Sequence, residues 1–231
     1  MKKRLTRFLP FLLAFTIALP SYSVFAEEEN QAKETQTNET NETQADETTA
    51  NDTLSLAAET AVLIDAASGE ILYDKDADKK MYPASITKLM TILLALENGK
   101  LTDEITFSHD AVYNIEPGSA HIAILEGETL TLEQVLRAII LRSANEASNG
   151  VAEYVDGSVE AFAKHMTERA KELGCTNTNF VNANGLFDEN HYTTAHDMAL
   201  IARELLKHEE YRSMMSETDY EIPPTNLQTE T

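Results

Sequence analysis

The 231-residue sequence predicts an α+β domain in which strands come first and helices dominate the middle of the chain. Two short apolar segments, 61–65 and 70–74, are joined by Ala66-Ala-Ser-Gly69, a pattern that indicates a β-hairpin with Gly at the turn. Longer segments further along the chain carry apolar residues at helical spacing. A stable sheet usually has more strands than one hairpin supplies. We therefore expect a helical cluster packed on an antiparallel sheet that is incomplete in this chain.

The first helix is predicted from Ala84 to Glu97, directly after Pro83. Its apolar residues cover most of its circumference, so we expect it to be buried rather than amphipathic. Asn98-Gly99 is typical of a helix end. The apolar positions are Ile86, Leu89, Met90, Leu93, Leu94 and Leu96.

Three further helices are predicted, each with a characteristic start. Thr131-Leu-Glu-Gln134 resembles a capping box and opens a helix that continues through Ile140. Ser158 can cap a third helix, which Gly174 closes. Thr194-Ala-His-Asp197 opens a fourth helix. The positions expected to face the core are Phe162, Met166, Ala170 and Leu173 in the third helix, and Met198, Ile201 and Leu205 in the fourth.

The N-terminal segment, residues 1–26, has the pattern of a secretory signal peptide. Its positive charges precede a short apolar run, residues 8–19, and residues 24–26 offer a cleavage position. A membrane anchor is the alternative interpretation, although the apolar run is short for a bilayer span. Residues 27–52 contain no aliphatic side chain larger than Ala, which predicts a disordered acidic spacer. The globular domain is then expected at residues 53–231.

The charge of the chain excludes one class of partner. Loss of the four positive charges in the signal peptide takes the formal net charge from −21 to −25. Nucleic acid is excluded, because phosphate contacts need clustered Lys and Arg. Anionic membrane surfaces should repel the chain unless something else anchors it. Cys175 is the single cysteine, so an internal disulfide is impossible and we expect a buried thiol.

Ser85 and Lys88 form the first candidate catalytic pair, at the start of the predicted buried helix. Residues three apart on a helix have neighbouring side chains, so the Lys amine can take the proton of the Ser hydroxyl. A buried helix supplies the desolvation that keeps a Lys partly neutral. The ordinary interpretation is a helix-start Ser with a solvated Lys, but Lys88 lies among apolar residues.

Ser143-Ala-Asn145 forms the second candidate element, just after the helix through Ile140. A Ser hydroxyl can pass a proton between the Lys amine and a departing nitrogen. An Asn amide can donate to a substrate carbonyl and accept from a Lys. Taken alone, this segment is more typical of a helix terminus with ordinary capping groups.

These two elements resemble the first two motifs of the penicillin-recognising serine enzymes. Four surrounding segments are similar to the low-molecular-weight D-alanyl-D-alanine carboxypeptidases, and the resemblance covers about residues 58–228. The four segments are 63–69, 141–147, 185–186 and 194–198. The resemblance implies a β-lactamase/transpeptidase-like fold. It also implies site roles: Ser85 as acylated nucleophile, Lys88 as its base, Ser143 as proton relay and Asn145 as a substrate and Lys contact.

The resemblance further implies an activity and its partners. The expected reaction is removal of the terminal D-alanine from peptidoglycan stem peptides, with β-lactam antibiotics as covalent inhibitors. We expect an exported protein at the cell wall or the outer face of the membrane, with no cofactor and no metal. The tail anchor and β-rich C-terminal domain of many relatives are not expected in this chain.

Three departures from the family pattern are visible. The third motif, Lys-Thr-Gly, occurs nowhere in the sequence, and we expect the chain to stop at Thr231 before reaching it. Glu146 follows the second motif where relatives usually have Asp. Asn184 precedes Gly185-Leu186 where many relatives have His.

Other interpretations remain open. A class A β-lactamase would need a Glu-x-x-Leu-Asn segment after Asn145, and the sequence has none. The six His residues show no metal-binding spacing, and we expect His191 and His196 to be polar surface groups or caps. A non-catalytic wall-binding protein or an inactive truncated fragment is the alternative from another class. Continuation of the gene past Thr231 would discriminate between them.

Overall fold

A computed structural model of the chain describes residues 3–6 and 56–229. The predicted signal peptide, apart from residues 3–6, and the whole predicted spacer lie outside the described residues. The elements follow in the order β1 (Lys3–Thr6), β2 (Ala61–Ile64), β3 (Ile71–Lys75), α1 (Lys88–Asn98), β4 (Glu104–Thr106), α2 (His109–Tyr113), β5 (Thr129–Thr131), α3 (Leu132–Arg142), α4 (Asn145–Asp156), α5 (Val159–Glu172), α6 (Ala195–Leu205), α7 (Glu209–Met215) and β6 (Asp219–Ile222).

The strands form three antiparallel pairs rather than one large sheet. The predicted hairpin is confirmed as β2 and β3, and Gly69 takes the left-handed backbone (φ +83°) that its turn needs. β4 pairs with β5, and β1 pairs with β6. Each sheet in the described residues has two strands. The α+β class is confirmed, with a helical cluster beside sheets that stay small.

The buried helix α1 lies at the centre of the helical cluster. It contacts α3, α4, α5 and α6, and Met90, Leu93 and Leu94 are fully buried. Each such side chain contributes about 1.5–3 kcal/mol by leaving water. The predicted burial is therefore confirmed for α1 up to Ala95, whereas Glu97 and Asn98 at its end are exposed. Ile86 differs: it is 55% exposed, because Ala84–Thr87 forms a 3-10 turn that points it away from the core face of α1.

The three predicted helix caps are present. Thr131 and Gln134 form a reciprocal capping box at α3, with the Thr131 N–H donating to Gln134 Oε1 over 2.8 Å. Ser158 accepts from the Ala161 N–H at the start of α5. Thr194 accepts from the Asp197 N–H at the start of α6. These caps are local, so a short sequence window is enough to predict them.

Helix α4 is the main element that the sequence did not predict. Its first eight residues, Asn145 to Ala152, are all buried, although four of them are polar. Apolar periodicity is weak there because the polar side chains bond inside the protein. Gly150 shows how close the packing is: a Cβ at this position would lie 2.3 Å from the ring of Phe107. The short elements α2, α7, β1 and β4–β6 were not predicted either.

Two further features of the described residues bear on the sequence expectations. Cys175 is confirmed as a buried thiol, 4% exposed, and burial raises its pKa to about 12. Its Sγ donates to the Asp197 carbonyl oxygen. Within the described ranges, no helix combines the length and apolarity needed to cross a bilayer.

Candidate active site

The turn that carries Ser85 is held in an unusual backbone conformation. Pro83 is buried, and Ala84 has φ +49°, in the left-handed region that non-Gly residues rarely adopt. The Ala84 carbonyl is pressed against Gly185, where a Cβ would lie only 1.9 Å from the carbonyl oxygen. Gly185 itself has φ +86°. The two backbones fix the turn together and leave Ser85 exposed.

Lys88 is the first residue of α1 and is only 4% exposed. Its Nζ donates to Ser85 Oγ at 3.2 Å, to Asn145 Oδ1 at 2.7 Å and to the Asn184 carbonyl oxygen at 2.5 Å. Burial lowers the pKa of Lys88 to about 8, and the Glu146 carboxylate opposes this shift. A sizeable fraction of the amine is therefore neutral near pH 7 to 8, as a proton acceptor requires.

Ser143 and Asn145 meet the nucleophile turn from the junction of α3 and α4. Ser143 ends α3 in the left-handed conformation (φ +55°), which turns the chain so that Asn145 starts α4 beside Lys88. Within residues 56–229, the buried Ser143 Oγ has no hydrogen-bond partner. A buried hydroxyl without a partner on a strained backbone is a feature of sites that bind a ligand group.

Ser85, Lys88 and Ser143 are among the residues that line a cleft of about 330 Å³. The volume is in the range of small-molecule sites. The rest of the lining is apolar apart from one tyrosine: Ile86, Leu89, Ile92, Ile139, Ile140, Tyr211 and Met215. The structure thus brings Ser85, Lys88 and Asn145 together by hydrogen bonds, and it places Ser143 in the same cleft without a direct bond to them.

His191 supports the nucleophile turn, which corrects the expectation of a surface group. It is 2% exposed, and its Nε2 lies 2.7 Å from Thr87 Oγ1. Its Nδ1 accepts from the Val181 N–H, so the ring proton sits on Nε2 and is donated to Thr87. Burial lowers the pKa of His191 to about 4, against the opposing charge of Asp188. Thr87 and His191 are 104 positions apart in the sequence, which explains why no local pattern revealed this contact.

His196 fits the expectation of a polar group near the surface. It lies in the first turn of α6, and its Nδ1 is 3.1 Å from the exposed Asp78 carboxylate. Among the described residues, no group of three His, Cys, Asp or Glu side chains is placed to bind a metal ion.

Asn184 stands where many relatives have His, but its contact with Lys88 does not use its side chain. The group that reaches Lys88 is the backbone oxygen, which any residue at this position can supply. The Asn184 side chain instead donates to Asn149 Oδ1 at 3.1 Å and accepts from the Leu186 N–H at 2.9 Å. These bonds hold the loop so that its carbonyl points at the amine.

Glu146 links the second motif to the preceding loop. It is 1% exposed, and its Oε1 accepts from the Ile122 N–H at 2.7 Å. The neighbouring Asn145 N–H donates to the Ala120 carbonyl oxygen at 2.9 Å. The loop at residues 120–122 is thus fastened to the start of α4 by two hydrogen bonds.

Known proteins are similar to this chain in sequence. The family model described as D-alanyl-D-alanine carboxypeptidase matches residues 44–228. The D-alanyl-D-alanine carboxypeptidase DacF of Bacillus subtilis (strain 168) is 43% identical over 161 residues, which are 68% of this chain and 41% of the relative. DacC of Escherichia coli (strain K12), with the same description, is 37% identical over 160 residues, 66% of this chain and 40% of the relative.

A solved structure extends the similarity to three dimensions. Penicillin binding protein 5 from Haemophilus influenzae matches with a TM-score of 0.67 and 34% identity, covering 72% of this chain and 50% of that one. The chain spans about two fifths of the length of the two curated relatives. Because the family model covers most of the sequence, the chain belongs to the D-alanyl-D-alanine carboxypeptidase family.

Proposed function

We propose that this chain carries the nucleophile, base and relay of a serine-type D-alanyl-D-alanine carboxypeptidase. The observation that supports this most directly is the buried Lys88 amine between Ser85 Oγ and Asn145 Oδ1. A desolvated amine in contact with an exposed hydroxyl is the arrangement that activates a Ser without a His.

The proposed reaction has two steps. Ser85 Oγ attacks the carbonyl carbon of the penultimate D-alanine and gives its proton to Lys88 Nζ. The C–N bond to the terminal D-alanine then breaks, and the leaving amine receives a proton through Ser143. Water hydrolyses the Ser85 ester by the reverse proton route, which restores the hydroxyl and the neutral amine. Developing charge on the carbonyl oxygen is stabilised by the positive end of the helix that begins beside Ser85.

The proposed substrates are peptidoglycan stem peptides that end in D-alanyl-D-alanine, and β-lactams are the proposed covalent inhibitors. An exported protein acting at the cell wall follows from the signal-peptide pattern of residues 1–26 and from the same family. The steps assigned to Ser85, Lys88 and Ser143 make no use of the Lys-Thr-Gly motif, which this sequence lacks.

Mass spectrometry after incubation with benzylpenicillin tests the proposal. We expect a covalent adduct of one penicillin that maps to Ser85, and no adduct in Ser85→Ala. An adduct that persists in Ser85→Ala would remove Ser85 from the role of nucleophile. A wild-type chain that forms no adduct would favour a non-catalytic protein.

A further inference from the structure

Asn149 lies one helical turn after Asn145 in α4, and residues four apart occupy the same face of a helix. It is 3% exposed, so its amide needs hydrogen-bond partners inside the protein. The steps of the proposed reaction make no use of this side chain. Its partners therefore show what the residue does.

Two backbone carbonyls fix the orientation of the Asn149 amide. Its Nδ2 donates to the Ala111 carbonyl oxygen at 3.3 Å and to the Asn114 carbonyl oxygen at 3.4 Å, near the end of α2. Both partners can only accept, so the amino group of the amide must face them. Its Oδ1 is thereby directed to Asn184, whose Nδ2 donates to it over 3.1 Å.

Asn184 connects this bond to the reacting amine. Its backbone oxygen is one of the three acceptors of Lys88 Nζ, at 2.5 Å. Its side chain also accepts from the Leu186 N–H at 2.9 Å, so both ends of the Asn184 amide are held. Because the side chain and the carbonyl belong to one residue, fixing the first restricts where the second can point.

Two of the three acceptors of Lys88 are thus attached to one helix. Asn145 belongs to α4, and its Oδ1 accepts from Nζ at 2.7 Å. Asn149 ties the Asn184 carbonyl to the same helix. The position of this helix therefore sets the position of both oxygens around the amine.

Other bonds hold the same loop in different ways. The Asn182 side chain accepts from the Gly185 N–H and donates to the Leu186 carbonyl oxygen, both within the loop. Thr91 Oγ1 attaches the loop to α1 by donating to the Ala183 carbonyl oxygen at 2.6 Å. The bond from Asn149 differs from these, because it places the loop relative to α4.

We propose that Asn149 is a positioning residue for acylation of Ser85, because it holds the Asn184 carbonyl oxygen against Lys88 Nζ. This inference rests on the proposed function and adds to it a residue outside the two sequence motifs. A carbonyl held against the amine favours its charged form and restricts its orientation. Withdrawal of that carbonyl should therefore lower the Lys88 pKa and leave the neutral amine less well aimed at Ser85.

Three titratable groups lie near Lys88, and substitution of Asn149 leaves all of them in place. Glu146 raises the Lys88 pKa, Tyr211 lines the same cleft, and His191 contacts Thr87 and is neutral at neutral and alkaline pH, since its pKa is about 4. Charges on the other helices packed against α1 have partners of their own: Arg137 in α3 pairs with Glu217, Arg169 in α5 with Glu97, and Asp197 in α6 accepts from Thr178.

NMR titration of the Lys88 side chain, in the full chain made with isotope-labelled lysine, tests the inference. Lys88→Arg identifies the signal by its loss. In Asn149→Ala we expect the Lys88 pKa to fall by about one unit, since the ammonium loses an acceptor. Asn149 and Asn184 line a polar cleft of about 370 Å³, so water can replace the deleted amide and the fold should persist. A native-like amide spectrum confirms folding.

Two further variants locate the effect. Asn184→Ala removes the other side chain of the same bond and should lower the Lys88 pKa by a similar amount, so it also serves as the test if Asn149→Ala does not fold. Tyr154→Phe deletes a bond from the same helix to Asp103 and should leave the titration of Lys88 unchanged.

Acylation by benzylpenicillin gives a second measurement. We expect Asn149→Ala and Asn184→Ala each to slow it by about tenfold at high pH, where the amine is neutral. The double variant should be slowed by about tenfold rather than about 100-fold, because both substitutions break one link. Tyr154→Phe should acylate at the wild-type rate.

The outcomes separate this inference from the proposed function. A Lys88 pKa that stays unchanged in both Asn variants would overturn the role of Asn149, whatever happens to stability. Effects on acylation that multiply in the double variant would overturn it as well, since the two residues would then act separately. The NMR titration needs no acylation, so a wild-type chain without a penicillin adduct counts against the proposed function, while the titration still decides whether Asn149 acts on Lys88.

Discussion

The protonation of Lys88 Nζ depends on two opposing effects. Its three acceptors suit an ammonium, whereas its burial disfavours the charge. The balance is a pKa of about 8, so that a modest change in surroundings moves the amine between its two forms. Glu146 shifts the equilibrium towards the ammonium, because its carboxylate raises the Lys88 pKa.

The pH dependence of acylation follows from this balance. Only the neutral amine accepts the Ser85 proton, so the second-order rate of acylation by benzylpenicillin should rise about tenfold per pH unit up to pH 8 and then level off. Adduct formation at timed intervals between pH 6 and 9 measures it. Lys88→Arg, whose guanidinium stays charged, is the control and should acylate at no pH. A flat wild-type profile would contradict the assignment of Lys88 as base.

The sequence was informative about individual residues where chemistry is local. Ser85 and Lys88 are three positions apart, and a helical register is enough to predict their contact. The contact of Lys88 with Asn145 spans 57 residues, so spacing does not predict it; the chemistry of an Asn amide allowed it and the family resemblance implied it. The Asn184 carbonyl was beyond prediction, because a backbone oxygen leaves no mark in the sequence.

At the level of elements, the 3-10 turn at Ala84–Thr87 and the loop around Gly185 depend on each other. The loop cannot carry a side chain at Gly185, and the turn cannot keep Ala84 left-handed without the loop. The bond from His191 to Thr87 adds a second link between the same two segments. Geometry at the nucleophile is therefore set by two segments about 100 residues apart.

Substitution of two glycines tests this dependence. Gly185 and Gly157 both have positive φ, so Ala costs about 1–2 kcal/mol of stability at either from the backbone alone. A Cβ at Gly157 meets nothing within 4 Å, whereas at Gly185 it overlaps the Ala84 carbonyl. We expect Gly185→Ala to slow penicillin acylation by about 100-fold and Gly157→Ala to leave it unchanged. Similar acylation rates in both variants would show that the turn does not need the loop.

Helix α4 is the long helix that apolar periodicity did not predict. Helices α1, α3, α5 and α6 bury apolar faces, and their periodicity and caps predicted them. The first turns of α4 bury Asn145, Glu146 and Asn149, whose side chains bond to Lys88, the Ile122 N–H and the Ala111 carbonyl oxygen. Those partners are distant in sequence, so the polar residues look exposed until the fold is known. The polar helix also carries Asn145, whose side chain contacts Lys88.

For the whole molecule, burial of neutral His191 links stability to pH. The pKa of His191 is about 4 in the folded state and about 6.5 in an unfolded chain, so the unfolded state binds more protons between these values. The free energy of unfolding should therefore fall as the pH drops from 6.5 to 4, by up to about 3 kcal/mol from this group. Above pH 6.5 the group is neutral in both states and contributes no pH dependence.

Urea unfolding at pH 4 to 7 measures this effect. His191→Gln can still donate to Thr87 but does not titrate, so its stability should decline less over the same range. The difference between the two chains isolates His191 from the carboxylates, which titrate in both. Parallel declines in the two proteins would mean that His191 does not remain neutral in the fold.

The rate of alkylation of Cys175 can report local unfolding of the helical cluster. The single thiol of the chain lies under the start of α6, and only its thiolate form reacts with alkylating reagents. With a pKa of about 12, the folded protein should resist modification at neutral pH. Alkylation then proceeds through molecules in which α6 has separated from residue 175. Its rate, read as a mass increase, reports how often the helical cluster opens while Ser85 and its cleft remain chemically untouched.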